Sequence, residues 1–184
     1  MYDVLVLAGG RSTRLGRPKH LLIVEGEPLV RRVVRRLGGR AVVCASSGTA
    51  RDVERVLSDM DVQVVLDSVE GMGPVGGMAS GLAACTREWA AVCGCDMPFV
   101  SREVLDALYA RREGVDAVIP VCGKRQTLHA LYRRESVLAA CELLLRRGGG
   151  SVLDALSGLS VRYVPVEEER CFFGIDTVSD LIHI

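Results

Sequence analysis

The sequence predicts an α/β fold in three layers, a mainly parallel sheet between two layers of helices. Short Val-rich apolar runs alternate with longer amphipathic segments as far as Pro120, and that alternation is the mark of parallel strands joined by crossover helices. With 49% hydrophobic and 25% charged residues in 184, the chain can fill a core and is not disordered. That length suits one domain spanning residues 1–184.

The predicted buried strands are Val4–Ala8, Ala41–Ala45, Val62–Leu66, Ala90–Cys93 and Ala117–Pro120, each bounded by Gly, Asp or Ser. Between the first two, Pro28–Leu37 sets apolar residues at 29, 30, 33, 34 and 37 against Arg31, Arg32, Arg35 and Arg36. This reads as a helix with Pro in its first turn and Gly38-Gly39 beyond its end. Arg51–Met60, Val75–Cys85 and Arg102–Arg112 follow as helices, the last capped by Ser101. After Pro120 the alternation loosens. Leu128–Arg133 reads as a strand reached through a turn at Gly123, and so as the one antiparallel strand. Ser136–Arg146 and Val152–Leu156 read as helices split by three glycines, Val161–Val166 as a late strand and Val178–Ile182 as a last helix.

Composition narrows the function classes. Lys+Arg and Asp+Glu both number 23 and aromatics are 4%. A nucleic-acid partner would favour a basic balance and stacking platforms, and neither is present. No apolar run approaches the roughly 20 residues that span a bilayer, and the N-terminus lacks the charged region of a signal peptide, so no membrane association is expected. Seven cysteines, an odd number with no C-x-x-C pair, fit a reducing cytoplasmic setting. Cys93-x-Cys95 has no supporting His or second pair to make it a metal site.

In an open α/β sheet the ligand lies beyond the carboxyl ends of the strands. The loop after the first strand runs Leu7-Ala8-Gly9-Gly10-Arg11-Ser12-Thr13-Arg14-Leu15-Gly16-Arg17-Pro18-Lys19. Its glycines let backbone amides approach an anion, and four cations crowd within it. It reads as a polyanion site or as a solvated basic loop. No Walker A match exists. Gly71-Met-Gly73-Pro-Val-Gly76 matches a dinucleotide fingerprint, with Asp96 twenty residues beyond Gly76. Yet it follows the third strand, and Pro74 removes an amide from the turn. Asp67 and Asp96 each follow a strand, where a carboxylate can hold Mg²⁺ or serve as a cap or Asx-turn.

With these loops in view, the chain resembles the molybdenum cofactor guanylyltransferase family, nucleotidyltransferases with a Rossmann-like fold. The first loop resembles L-A-G-G-x-S-x-R-M-G-x-D-K, with Leu15 for Met and Pro18 for Asp. Asp67 with Gly73-Pro74-Val75-Gly76-Gly77-Met78 is similar to D-x(n)-G-P-L-A-G-M, and Gly94–Phe99 to x-C-D-x-P-F. Gln126–Tyr132 resembles Q-P-L-x-A-L-Y, and Gly174–Leu181 resembles N-x-N-T-P-E-D-L, with Gly174 and Asp176 where Asn is usual. Cys44 stands for the family's Asn after the second strand. The ordered set spans residues 5–181.

The resemblance implies a Rossmann-like three-layer sandwich and transfer of GMP from GTP to the phosphate of molybdopterin or its molybdenum form, releasing pyrophosphate. It places Leu7, Ala8 and Gly9 on guanine and ribose, Lys19 on the phosphates, Asp67 on the nucleotide and Asp96 on Mg²⁺. It makes Arg14 a second phosphate ligand, with Arg14, Lys19 and Asp96 as the catalytic set. Gly10 distinguishes the chain from cytidylyl relatives that read L-A-A-G, and implies room for a purine. Residues 71–81 and the loops after Pro120 would face the pterin. Transient contact with molybdenum-insertion proteins or apo-molybdoenzymes is implied too. Three other readings are a cytidylyl- or sugar-phosphate transferase of this fold, a nicotinamide oxidoreductase using Gly71–Gly76, and a binding module using the Arg31–Arg36 face.

Overall fold

A computed structural model describes residues 1–9 and 18–183. Gly10 and Arg14, both implied site residues, lie outside the described residues. The strands are β1 (Asp3–Leu7), β2 (Ile23–Val24), β3 (Glu27–Pro28), β4 (Ala41–Ala45), β5 (Val62–Leu66), β6 (Trp89–Gly94), β7 (Ala117–Cys122), β8 (Lys124–Arg125), β9 (His129–Arg133) and β10 (Val161–Pro165). The α-helices are α1 (Leu29–Leu37), α2 (Ala50–Val56), α3 (Gly73–Ala84), α4 (Arg102–Tyr109), α5 (Arg134–Arg146) and α6 (Val152–Ala155).

The main sheet runs β10-β7-β9-β6-β1-β4-β5, with β8 paired to β7 and β2-β3 forming a separate ribbon. β9 is antiparallel to both β6 and β7, while β5, β4, β1 and β6 are parallel, as are β10 and β7. The expected antiparallel strand is therefore β9, joined in that sense by the two-residue β8.

Alternation within the strands builds the three layers. In β1, Val4 and Val6 enter one core while Leu5 and Leu7 enter the other. The first core takes Leu29, Val33 and Leu37 of α1, Val53 of α2 and Leu105 of α4. The second takes Val75, Met78 and Leu82 of α3, Val137 and Cys141 of α5 and Val152 of α6. Burying the central strands on both faces explains why they read as continuous apolar runs.

The punctuation acts as expected. Gly38, at φ 65°, ends α1 with its N–H on Val34 O at 3.0 Å. Ser101 Oγ accepts the Val104 N–H at 3.2 Å and caps α4. The last predicted helix differs: Val178–His183 is a 3-10 turn, not an α-helix.

The arginine face of α1 also differs from a free basic surface. Arg32 is buried, with Nε on Pro98 O at 2.9 Å and a guanidinium nitrogen 3.0 Å from Glu25. Arg31 pairs with Asp59, Arg35 with Glu27, and Arg36 donates to Val100 O. These side chains tie α1 to its neighbours, while Arg35 and Arg36 stay exposed.

Candidate functional site

Four parallel strands end side by side, and each ladder continues one residue past its strand. Ala8 N–H donates to Cys44 O at 2.7 Å, Asp67 N–H to Ala45 O at 2.8 Å, and Cys95 N–H to Leu7 O at 3.0 Å. The loops after β1, β4, β5 and β6 therefore start from fixed points along one edge. They enclose a cleft of about 870 Å³.

At the β1–β6 end, Lys19 opens a short 3-10 turn, Lys19–Leu21. Its Nζ donates to Asp96 Oδ2 at 3.2 Å and to Asp176 Oδ1 at 2.6 Å. Burial works against the ammonium charge, but the bonds and attraction of Asp176 and Asp96 outweigh it and raise the Lys19 pKa above its ordinary value. Asp96 sits two residues beyond β6, and Ile175 N–H donates to its carbonyl at 2.9 Å, which lays the C-terminal segment across the site. Asp180 fixes that segment: its Oδ2 accepts from the N–H groups of Asp176 and Thr177 at 2.8 and 2.6 Å.

At the β4–β5 end, Asp67 Oδ1 accepts the Val69 N–H at 3.0 Å, an Asx-turn. The carboxylate also lies against Gly76, where an added Cβ would stand 3.2 Å from Asp67 Oδ1 and 2.7 Å from Val69 O. At Gly77 an added Cβ would stand 3.3 Å from the Leu7 side chain and 3.8 Å from Cys44 Sγ. These contacts give Gly76 and Gly77 a packing role. α3 starts at Gly73 with Pro74 in its first turn, beside the β5 edge of the sheet, so the dinucleotide fingerprint is not the turn after a central first strand.

Of the expected residues, Leu7, Ala8, Gly9, Lys19, Asp67 and Asp96 all line this one cleft. Cys44 lines it too, but within β4, where burial pushes its thiol up to about 12. The polar groups just past that strand are Ser46 and Ser47. These two, with Glu70, His20 and Asp176, are what sequence reasoning missed. Asp176 carried a signal, since it falls in the Gly174–Leu181 motif. His20 carried none. Its ring is buried, burial lowers its pKa despite Asp52, and among the described residues Nε2 has no hydrogen-bond partner, with Asp52 Oδ2 3.9 Å away. Among the described residues no cluster of three or more His, Cys, Asp or Glu forms a metal centre, Cys93 and Cys95 included.

A second cavity, of about 730 Å³, lies over the ends of β7 and β9. Phe99, Lys124, Gln126, Arg170 and Phe172 line it, with the Arg170 guanidinium 4.2 Å from the Phe99 ring centroid. Among the described residues no helix is long and apolar enough to cross a membrane.

Comparison with known proteins agrees with this geometry. Residues 4–161 match the family model described as MobA-like NTP transferase domain. A Natronomonas pharaonis protein named "Probable molybdenum cofactor guanylyltransferase" is 32% identical, with 96% of this chain and 93% of that protein covered. A Bacillus cereus protein of the same name is 34% identical, with 97% and 93% covered. The crystal structure of molybdopterin-guanine dinucleotide biosynthesis protein A from Archaeoglobus fulgidus superposes with a TM-score of 0.84 at 29% identity, covering 98% of this chain and 95% of that one.

Proposed function

The chain belongs to the MobA-like NTP transferase family, and from that premise we infer that it is a molybdenum cofactor guanylyltransferase. It transfers GMP from GTP to the terminal phosphate of molybdopterin, with or without molybdenum, and releases pyrophosphate. The single observation that carries the reading is Lys19 held between Asp96 and Asp176 at the carboxyl edge of the sheet, in a cleft with the Leu7-Ala8-Gly9 loop.

The acceptor is already an anionic phosphate, so the reaction needs no general base. What opposes it is repulsion between anions and charge gathering on the departing pyrophosphate. Positioning and fixed cations answer both. Lys19 supplies a compact charge for the triphosphate, and Arg14 a second one. Leu7, Ala8 and Gly9 bring backbone against the nucleoside, helped by Gly10, while Asp67 holds the nucleotide at the β5 end. The acceptor approaches from the β7–β9 side, where Arg170 and Lys124 suit its phosphate and Phe99 and Phe172 its rings.

Nucleotidyltransferases generally use a divalent metal, and the donor set here fits one. Asp96 and Asp176 are hard oxygen donors sharing a single ammonium, and when Lys19 turns to a triphosphate both carboxylates need another cation. We assign Mg²⁺ to Asp96. When bound, the ion neutralises charge on phosphate oxygens. The protein acts in the cytoplasm and makes transient contact with molybdenum-insertion proteins or apo-molybdoenzymes. The test is a panel of GTP, CTP, ATP, UTP and NADH with Mg²⁺, read by melting shift. GTP alone should raise the transition strongly. A larger shift from NADH, or from CTP, would overturn the assignment.

A further inference from the structure

We propose that Glu70 reads the nucleobase and selects guanine through its N1–H and 2-amino donors. The inference rests on the guanylyltransferase reading and adds a residue to it.

The phosphate end of the cleft is fixed by Lys19, at the ends of β1 and β6. The same cleft extends over the ends of β4 and β5, where Ser47, Gly48, Glu70, Gly71 and Gly73 line it. A Cβ built on Gly48, Gly71 or Gly73 would meet nothing within 4 Å. Backbone without side chains thus leaves room for a flat ring at this end. Successive strands are about 4.8 Å apart, so β6 to β5 spans roughly 14 Å, the reach of a nucleoside with its phosphates.

Glu70 stands at this end in a held position. Its Oε1 accepts the Ser47 N–H at 2.5 Å, tying the loop after β5 to the loop after β4. Both loops are themselves pinned. Ser46 N–H donates to Thr49 Oγ1 at 3.1 Å, and Ser68 N–H to Ser80 Oγ at 3.0 Å. Glu70 Oε2 makes no hydrogen bond among the described residues, and the residue is exposed where it lines the cleft. An ionised carboxylate only accepts hydrogen bonds. Guanine presents two adjacent donors on one edge, N1–H and the 2-amino group. Cytosine and adenine each set an acceptor nitrogen beside their amino group, and uracil has a single N–H. A site that depends on pairing two donors rejects a base that leaves a polar group unmatched.

The test uses GTP and ITP, which differ only in the 2-amino group, with CTP as a third nucleotide and molybdopterin as acceptor. Wild type should prefer GTP over ITP in kcat/KM by about tenfold or more, the scale of a charge-assisted hydrogen bond. Glu70→Gln should bring that ratio close to one, by lowering GTP about 10- to 100-fold and ITP much less. Glu70→Ala should do the same, with melting temperature confirming that both variants fold. An unchanged GTP/ITP ratio overturns the assignment, as does an equal loss for GTP, ITP and CTP, which would make Glu70 a strap between loops only. Those outcomes leave wild-type GMP transfer standing. Wild type that transfers CMP instead overturns the guanylyltransferase reading itself.

Discussion

Lys19 Nζ and Asp176 Oδ1 lie 2.6 Å apart across 157 residues of sequence. Through this pair the first loop of the chain and its last turns close on the same point, with Asp96 as the third member. A lysine held by two carboxylates is charged before substrate arrives, so its ammonium is ready to meet a phosphate. Replacing it by alanine should therefore raise KM for GTP and lower kcat together, by about 10- to 100-fold in kcat/KM. Lys19→Arg should recover only part, since a planar fork cannot occupy the position of a point charge between two carboxylates. Steady-state pyrophosphate release checks both variants.

Asp96→Asn should reduce turnover about 1000-fold or more, because several kcal/mol of charge stabilisation by the metal would be lost. The fold should survive, since the side chain is part-exposed and, among the described residues, its hydrogen bond is to Lys19. The check is kcat at saturating Mg²⁺ beside the melting temperature. Turnover equal to wild type would remove Asp96 from the reaction.

Gly76→Ala should destabilise the protein by about 1–3 kcal/mol and weaken nucleotide binding as well. The new Cβ would press on the Val69 carbonyl at 2.7 Å and on Asp67 Oδ1 at 3.2 Å, so the Asp67 turn must shift. Urea unfolding reports the first effect and GTP binding the second.

Stability should fall on mild acidification. His129 is fully buried, and both ring nitrogens face carbonyl oxygens, Cys171 O and Ser101 O, each at 3.2 Å. A neutral imidazole has one N–H and can donate to only one of them. Burial still outweighs the two carbonyls and lowers the His129 pKa, as it lowers that of His20. The unfolded chain, titrating near 6.5, then binds protons that the fold does not. Stability present above about pH 6.5 is lost as pH falls below it. Urea unfolding at pH 7.5 and 5.5 should show the decline, and His129→Gln should flatten it.

Much of the fold was legible in the sequence because it is written locally. The Val-rich runs mark β1, β4, β5, β6 and β7 to within a residue or two, and Ser101 and Gly38 mark where helices start and stop. Sheet order was not legible. β9 enters between β6 and β7, a placement set by pairing with strands on both sides and by nothing inside Leu128–Arg133. The arginines of α1 misled for a related reason: their partners, Glu25, Glu27, Asp59 and the Pro98 carbonyl, lie on other segments. In the cleft, Lys19, Asp67 and Asp96 stood out because each ends or follows a strand-loop motif. Ser47 and Glu70 did not, because their meeting depends on two loops that neighbour each other only in the folded sheet.

The most direct measurement of the central claim is a competition. Equal GTP and CTP with Mg²⁺ and molybdopterin are offered to the protein, and the dinucleotide products are separated by mass. The account predicts the guanine dinucleotide in large excess, with one pyrophosphate released per product. A predominance of the cytosine dinucleotide would contradict it.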